Sequence, residues 1–181
     1  MVAYEPRPLP KIAIDLCKEL DAPPRLVAHL RVVHDAAIQL TELLIESFPK
    51  LTFDQSEVLI GAAIHDLGKC QHINELYGPG NRHEVDGPTL LESVGVSEDL
   101  SRFCRTHGAW SREELPFEDL LVGLADSSWK GHRLEMLEGK IVSEIAALGD
   151  FQEWYVFGIL DSLLDKVASN ASARLAWQAK Y

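Results

Sequence analysis

Val58-Leu59-Ile60-Gly61-Ala62-Ala63-Ile64-His65-Asp66-Leu67-Gly68-Lys69 is an apolar run that stops on an imidazole and a carboxylate. Upstream of it, Asp54 with Glu57 has the spacing of a capping box, which opens a helix. Gly68 stands where a left-handed cap would close that helix. The uncharged stretch from Val58 to Ile64 is far too short to cross a bilayer. A helix apolar on most of its surface is buried among other elements. One that ends on His65 and Asp66 suits a metal held inside a helical bundle. Imidazole and carboxylate together match Fe, Mn, Zn or Co better than Ca.

Outward from this stretch the chain keeps a helical period. Leu26, Leu30, Val33, Ala37, Leu40 and Leu44 recur at three and four, one apolar stripe on a long helix that starts at Pro23-Pro24 and ends before Pro49. A short amphipathic piece covers 11–20. Before it, Pro6, Pro8 and Pro10 make residues 1–10 an extended arm. Downstream, 71–82 reads as a loop, with Tyr77-Gly78-Pro79-Gly80-Asn81 as a lid beside the site or a plain turn. Helical patterns resume over 83–94, 97–106, 117–128 and 133–148. A last helix starts at Asp150, with Glu153 as its capping partner, and runs to about 178. No period-two alternation and no internal repeat is present. The expectation is an all-α fold of about seven helices, a single domain over 1–181 with its motif region at 24–133.

Composition agrees. The chain has 181 residues, 46% hydrophobic and 25% charged, which excludes whole-chain disorder and fibrous repeats. Asp and Glu total 28 against 17 Lys and Arg, a net charge of −11, the wrong sign for a broad nucleic-acid binder. Cys17, Cys70 and Cys104 are too few and too scattered for a disulfide framework. The first ten residues lack the apolar run of a signal peptide. A protein of the cytoplasm, without nucleic-acid or membrane partners, is expected.

A His-Asp pair alone says little, because His34-Asp35 repeats it in the preceding helix. The order of the other donors raises the signal. His29 lies in Pro24-Arg25-Leu26-Val27-Ala28-His29, His83-Glu84 and Thr106-His107-Gly108 follow the central pair, and Leu124-Ala125-Asp126 closes the series. This succession resembles the HD superfamily of metal-dependent phosphohydrolases, from about Pro24 to Arg133. The resemblance implies a single all-α fold and a metal site in which His29, His65, Asp66 and Asp126 are ligands. It further implies a second metal on His83 and His107, bridged by Asp66, as in the two-metal subgroup. Within the superfamily the pattern resembles the bacterial HD-type symmetric diadenosine tetraphosphate hydrolases. It departs from them at Ala125-Asp126-Ser127-Ser128-Trp129-Lys130. Position on the apolar stripe permits either His29 or His34 as first ligand; the spacing to the prolines and Val33 resembles the family at His29. His34 is then a residue that meets substrate, or a surface histidine.

The chemistry implied is hydrolysis of a phosphoester or phosphoanhydride in a small phosphorylated substrate, a nucleotide or dinucleotide. One or two divalent ions (Fe, Mn, Co or Zn) would activate water and polarise the phosphoryl group. Asp66, Lys69 and Arg133 are the candidate catalytic residues. Lys69, Lys130 and Arg133 would meet phosphate, Arg133 in bidentate fashion. Trp129, three residues after Asp126, would stack on a base; the plainer reading is a core tryptophan. Glu75 and Glu84 are surface acids or acceptors for ligating imidazoles. His72 and His132 read as solvated. A structural zinc on Cys70, His72, Cys104 and His107 fits no familiar spacing. No Gly-x-Ser-x-Gly elbow and no phosphate-binding Gly-x-x-x-x-Gly-Lys loop occurs. Two other classes stay open: a regulatory module that binds nucleotide or metal without turnover, and a di-iron oxygenase on the same ligand types.

Overall fold

A computed structural model describes residues 4–181, and among these every regular element is helical. Met1–Ala3 of the expected arm lie outside the described residues; 4–10 run without helix to the first cap at Pro10. Helix α1 is Lys11–Glu19 and α2 is Pro24–Ser47. Pro24 sits in the first turn, where its missing N–H costs nothing. At 24 residues α2 is about 36 Å long. Leu26, Leu30, Leu40 and Leu44 of its stripe are fully buried, each worth roughly 1.5–3 kcal/mol of transfer free energy.

Helix α3 is Gln55–Ile64. The Asp54 carboxylate accepts from the Glu57 amide at 3.0 Å, half of the expected capping box. The other half is taken over: the Asp54 amide donates to Glu118, and Glu57 pairs with Arg102. Gly68 is not the left-handed cap expected of it. Its φ is not positive, and the chain leaves α3 at His65 into a 3-10 turn, Leu67–Cys70. What Gly68 supplies is a close approach. A Cβ there would run into the His83 carbonyl and stand 3.0 Å from the Gly87 Cα. The bare backbones of 68 and 87 therefore bring the next helix against the turn.

A second 3-10 turn, Ile73–Leu76, lies within the expected loop. Helix α4 is Arg82–Ser93. The expected helix over 97–106 is interrupted at Arg102 into α5, Glu98–Ser101, and α6, Phe103–Thr106. Helix α7 is Phe117–Ser128 and α8 is Glu135–Gly149. The expected last helix is corrected twice. Asp150 does not open it but ends α8 in the left-handed conformation, with φ 55°. Its continuation is then divided at Ser169-Asn170 into α9, Glu153–Ala168, and α10, Ala171–Gln178.

Two apolar clusters fill the bundle. The larger gathers α2, α3, α7, α8 and α9; the smaller joins α1, the start of α2, the end of α3 and Leu91 of α4. Ala28 belongs to the first and Leu30 to the second, as do Ala62 and Ile64. His29 and His65 thus stand on the seam. Helix α10 is tied back by a fully buried Arg174, which donates to Asp35, Gln39 and the Val167 carbonyl. Asp35 also accepts from Tyr4 and Arg7, so one carboxylate joins the arm, α2 and α10. Among the described residues, no helix is long and apolar enough to cross a membrane.

Candidate metal centre

The centre is built around one carboxylate that faces two ways. Because α3 stops at Ile64, Asp66 lies at the start of the 3-10 turn, 2% exposed, with both oxygens turned to ring nitrogens. Its Oδ2 stands 3.0 Å from His29 Nε2 of α2 and 3.7 Å from His65 Nε2. Its Oδ1 stands 3.1 Å from His83 Nε2 of α4 and 3.7 Å from His107 Nε2, which follows α6. Asp126 of α7 brings Oδ1 to 3.4 Å from His29 and 3.5 Å from His65. Two groups of three donors result, His29–His65–Asp66 and Asp66–His83–His107.

Three of the rings are fixed from behind. His65 Nδ1 meets the Ala62 carbonyl and His107 Nδ1 the Phe103 carbonyl, each at 3.0 Å. His83 Nδ1 meets Glu75 Oε2 at 2.5 Å. An Nδ1 that donates leaves Nε2 as a lone pair aimed at the centre, the tautomer a metal requires. Within it, His65 Nε2, Asp66 Oδ1 and His83 Nε2 are buried with no hydrogen-bond partner. Buried polar atoms are normally satisfied, and each orphan costs about 1–3 kcal/mol. Three orphans converging with lone pairs and a carboxylate are the donor set a divalent transition metal completes. The residues present fit such an ion.

Charge follows the same plan. Burial works against an ionised Asp66, but the neighbouring His65, His29, His83 and Lys69 outweigh it and hold its carboxyl well below the usual range. Asp126 is held down likewise by His29 and His65. Burial would lower the His29 imidazolium, yet its bonds to Asp126 and Asp66 raise it to about 9. Burial dominates at His107 and, with His65 beside it, pushes it down to about 4. Both carboxylates are therefore ionised and ready to bind a cation near neutral pH.

Above this donor set opens a cleft of about 330 Å³, into which Lys69, Glu84, Lys130 and His132 also face. Lys69 Nζ is 2.5 Å from Asp66 Oδ2. Lys69 and Lys130, the two lysines expected to meet phosphate, line this cleft, and His132, expected to be merely solvated, lines it with them.

Three expected site residues are not brought here. His34 is buried elsewhere, its Nδ1 on the Leu59 carbonyl at 3.0 Å. His29 faces Asp66, and His34 does not. Arg133 is engaged by Glu138 through two bonds of 2.9 and 2.7 Å and by Asp161 at 2.8 Å, so its fork is filled by protein carboxylates. Trp129 is 4% exposed and packs edge-on against His29, ring centres 5.6 Å apart. It has no free face for a base, and what it touches is the His29 ring. The four-residue Cys/His zinc alternative does not assemble among the described residues: His72 pairs with Asp86, and Cys104 donates to the Ile64 carbonyl. Sequence reasoning passed over Arg25 and Gln178, which line a small cavity beside His29. The one signal for Arg25 was its position a turn before His29 on the same face.

Compared with known proteins, the chain matches one family model, described as HD domain, over residues 12–128. Neither the curated proteins nor the solved structures contain a match to it.

Proposed function

From the premise that the chain belongs to the HD domain family, we propose that it is a metal-dependent phosphohydrolase acting on a nucleotide or dinucleotide. The observation that carries this reading is the shared carboxylate: Asp66 serves both donor groups, and three of their atoms are buried without partners. A di-metal pair on His29–His65–Asp66–Asp126 and Asp66–His83–His107 accounts for every one of these side chains. Bound divalent ions supply Lewis acidity at a phosphoryl oxygen and make a water acidic enough to attack near neutral pH.

The chain's own residues do the rest. Glu75 holds the His83 ring, and the Ala62 and Phe103 carbonyls hold those of His65 and His107. Trp129 walls His29 from solvent on one side. Lys69 and Lys130 face the cleft as point charges for phosphate oxygens, which lowers the cost of charge building up there. Helical packing around the seam keeps water out from below.

The test is elemental analysis of the full chain purified without chelator or air, beside phosphate release from a panel of nucleotides and dinucleotides. About two transition-metal ions per chain with turnover supports the reading. Two ions without turnover would favour a binding module. No ion after reconstitution with Fe, Mn, Co or Zn would overturn it.

A further inference from the structure

Beside the metal cleft lies a smaller cavity of about 90 Å³, lined by Arg25, His29, Lys69, Glu75, Leu76 and Gln178. Its size suits a phosphoryl group. It shares His29 and Lys69 with the larger cleft, so a group seated in it adjoins a group seated over the metals. Arg25 stands one turn before His29 on α2. Among the described residues it makes no ion pair, and it rests 5.7 Å over the Tyr77 ring, a weak partner that it can leave. The one carboxylate in the wall is spent. Glu75 Oε2 takes the His83 ring and amide, and Oε1 takes the Arg82 amide. Gln178 closes the cavity from α10, which is anchored by Arg174 on Asp35 and by Trp177 on Glu5. The Arg25 guanidinium, the Gln178 amide and the Lys69 ammonium, the last of these paired with Asp66, thus line one small space.

We propose that this cavity is an anion subsite for the phosphoryl group next to the one attacked, with Arg25 as the residue that selects substrates carrying two or more linked phosphates. The proposal rests on the hydrolase reading above and narrows it from phosphoesters and phosphoanhydrides alike to phosphoanhydrides. In the reaction a water oxygen bonds to the attacked phosphorus and the bridging P–O bond breaks. The leaving phosphate keeps that electron pair, and the water's protons end on the product oxygens or in solvent. Arg25 and Lys69 flank the leaving phosphate and offset its charge.

The test uses the full chain and inorganic anions as probes. Binding of pyrophosphate and of orthophosphate is measured by calorimetry on the native chain, Arg25→Ala and Arg25→Lys, with metal content determined for each. The native chain is expected to bind pyrophosphate at least about tenfold tighter than orthophosphate. Arg25→Ala should abolish that preference while leaving orthophosphate affinity within about twofold and metal content unchanged. Arg25→Lys should keep part of it, because the charge remains but the fork is lost. An Arg25→Ala chain that keeps the preference, or loses affinity for both anions alike, overturns the subsite. A chain that holds no metal overturns the hydrolase reading instead, and the anion preference is still read on it.

Discussion

Replacing Gly68 by alanine should empty one half of the centre and spare the other. The added methyl has backbone on two sides, the His83 carbonyl and the Gly87 Cα, and neither can swing aside as a flexible side chain would. Ordinary contact begins at 3.4 Å and the Gly87 contact alone is 3.0 Å, with the carbonyl closer still, so α4 must back away by roughly 1 Å. His83 rides on α4. Its Nε2, now 3.1 Å from Asp66 Oδ1, would be carried out of any shared coordination sphere, because metal–ligand distances tolerate only about 0.2 Å. His29, His65 and Asp126 come from α2, α3 and α7 and stay in place. Overpacking of this kind costs about 2 kcal/mol, which in a chain of this size lowers Tm by roughly 4–8 °C.

The assay is metal per chain together with calorimetric melting. Gly68→Ala should fall from two ions to one and melt within that window. The control is Gly158→Ala in the middle of α9, where a Cβ meets nothing within 4 Å. It should keep both ions and gain about 0.5–1 kcal/mol from helix propensity. Should Gly68→Ala hold two ions and melt like the parent, the contact of the two glycines does not set the position of α4, and the argument fails.

The same geometry sets three further outcomes. His29→Ala should lose metal while His34→Ala keeps it and loses only stability, since His34 is bound to Leu59 and not to Asp66; retention by His29→Ala would refute the geometry. Arg133→Ala should lower stability by about 1–2 kcal/mol, by stranding the mostly buried Glu138, with KM for any phosphate substrate unchanged; a raised KM in steady-state assays would return Arg133 to the site. With metal chelated, the raised His29 imidazolium contributes stability in full below its ordinary value of 6.5, and that contribution is lost as pH rises through about 9. His83, also raised, adds in the same direction. Tm of the chelated chain should therefore fall between pH 6.5 and 9, and His29→Gln should flatten the fall; a Tm that rises across that window contradicts the pairing of His29 with the two carboxylates.

What was legible in the sequence was whatever a period or an order encodes. The stripe from Leu26 to Leu44 gave α2, because three-and-four spacing is a direct projection of one buried face. The succession of histidines and acids marked the donors that the fold draws together around Asp66. The failures share a cause. Gly68 looked like a cap because local rules give glycine that role, but its reason lies in α4, beyond an intervening turn and outside the reach of a local rule. Asp150 and Glu153 matched a capping pattern, yet the left-handed turn that ends α8 used Asp150 first. Arg133 and Trp129 sat at the right distance in sequence from Asp126, and their partners on α8, α9 and α2 decided otherwise. Arg174, polar and near the end of the chain, carried no sign that it would be the most deeply buried charge, because its partner Asp35 is 139 residues away.

The two arginines mark the limit of reading charge from spacing. Arg133 follows Asp126 closely and is withdrawn from the site by Glu138 and Asp161. Arg25 stands one turn before His29, rests over the Tyr77 ring and, among the described residues, pairs with no carboxylate. A guanidinium is available to a phosphate only if the protein has not already supplied an oxyanion with the same bidentate geometry. That condition is a property of the packed neighbourhood. In an acidic chain it is restrictive, because carboxylates outnumber cations and most arginines find one. An unpaired arginine beside a cluster of orphaned donors is therefore a stronger sign of an anionic ligand here than it would be on a neutral surface. It also explains why one cavity wall tolerates Glu75: a carboxylate whose oxygens are occupied by a ring and two amides has little left with which to capture Arg25.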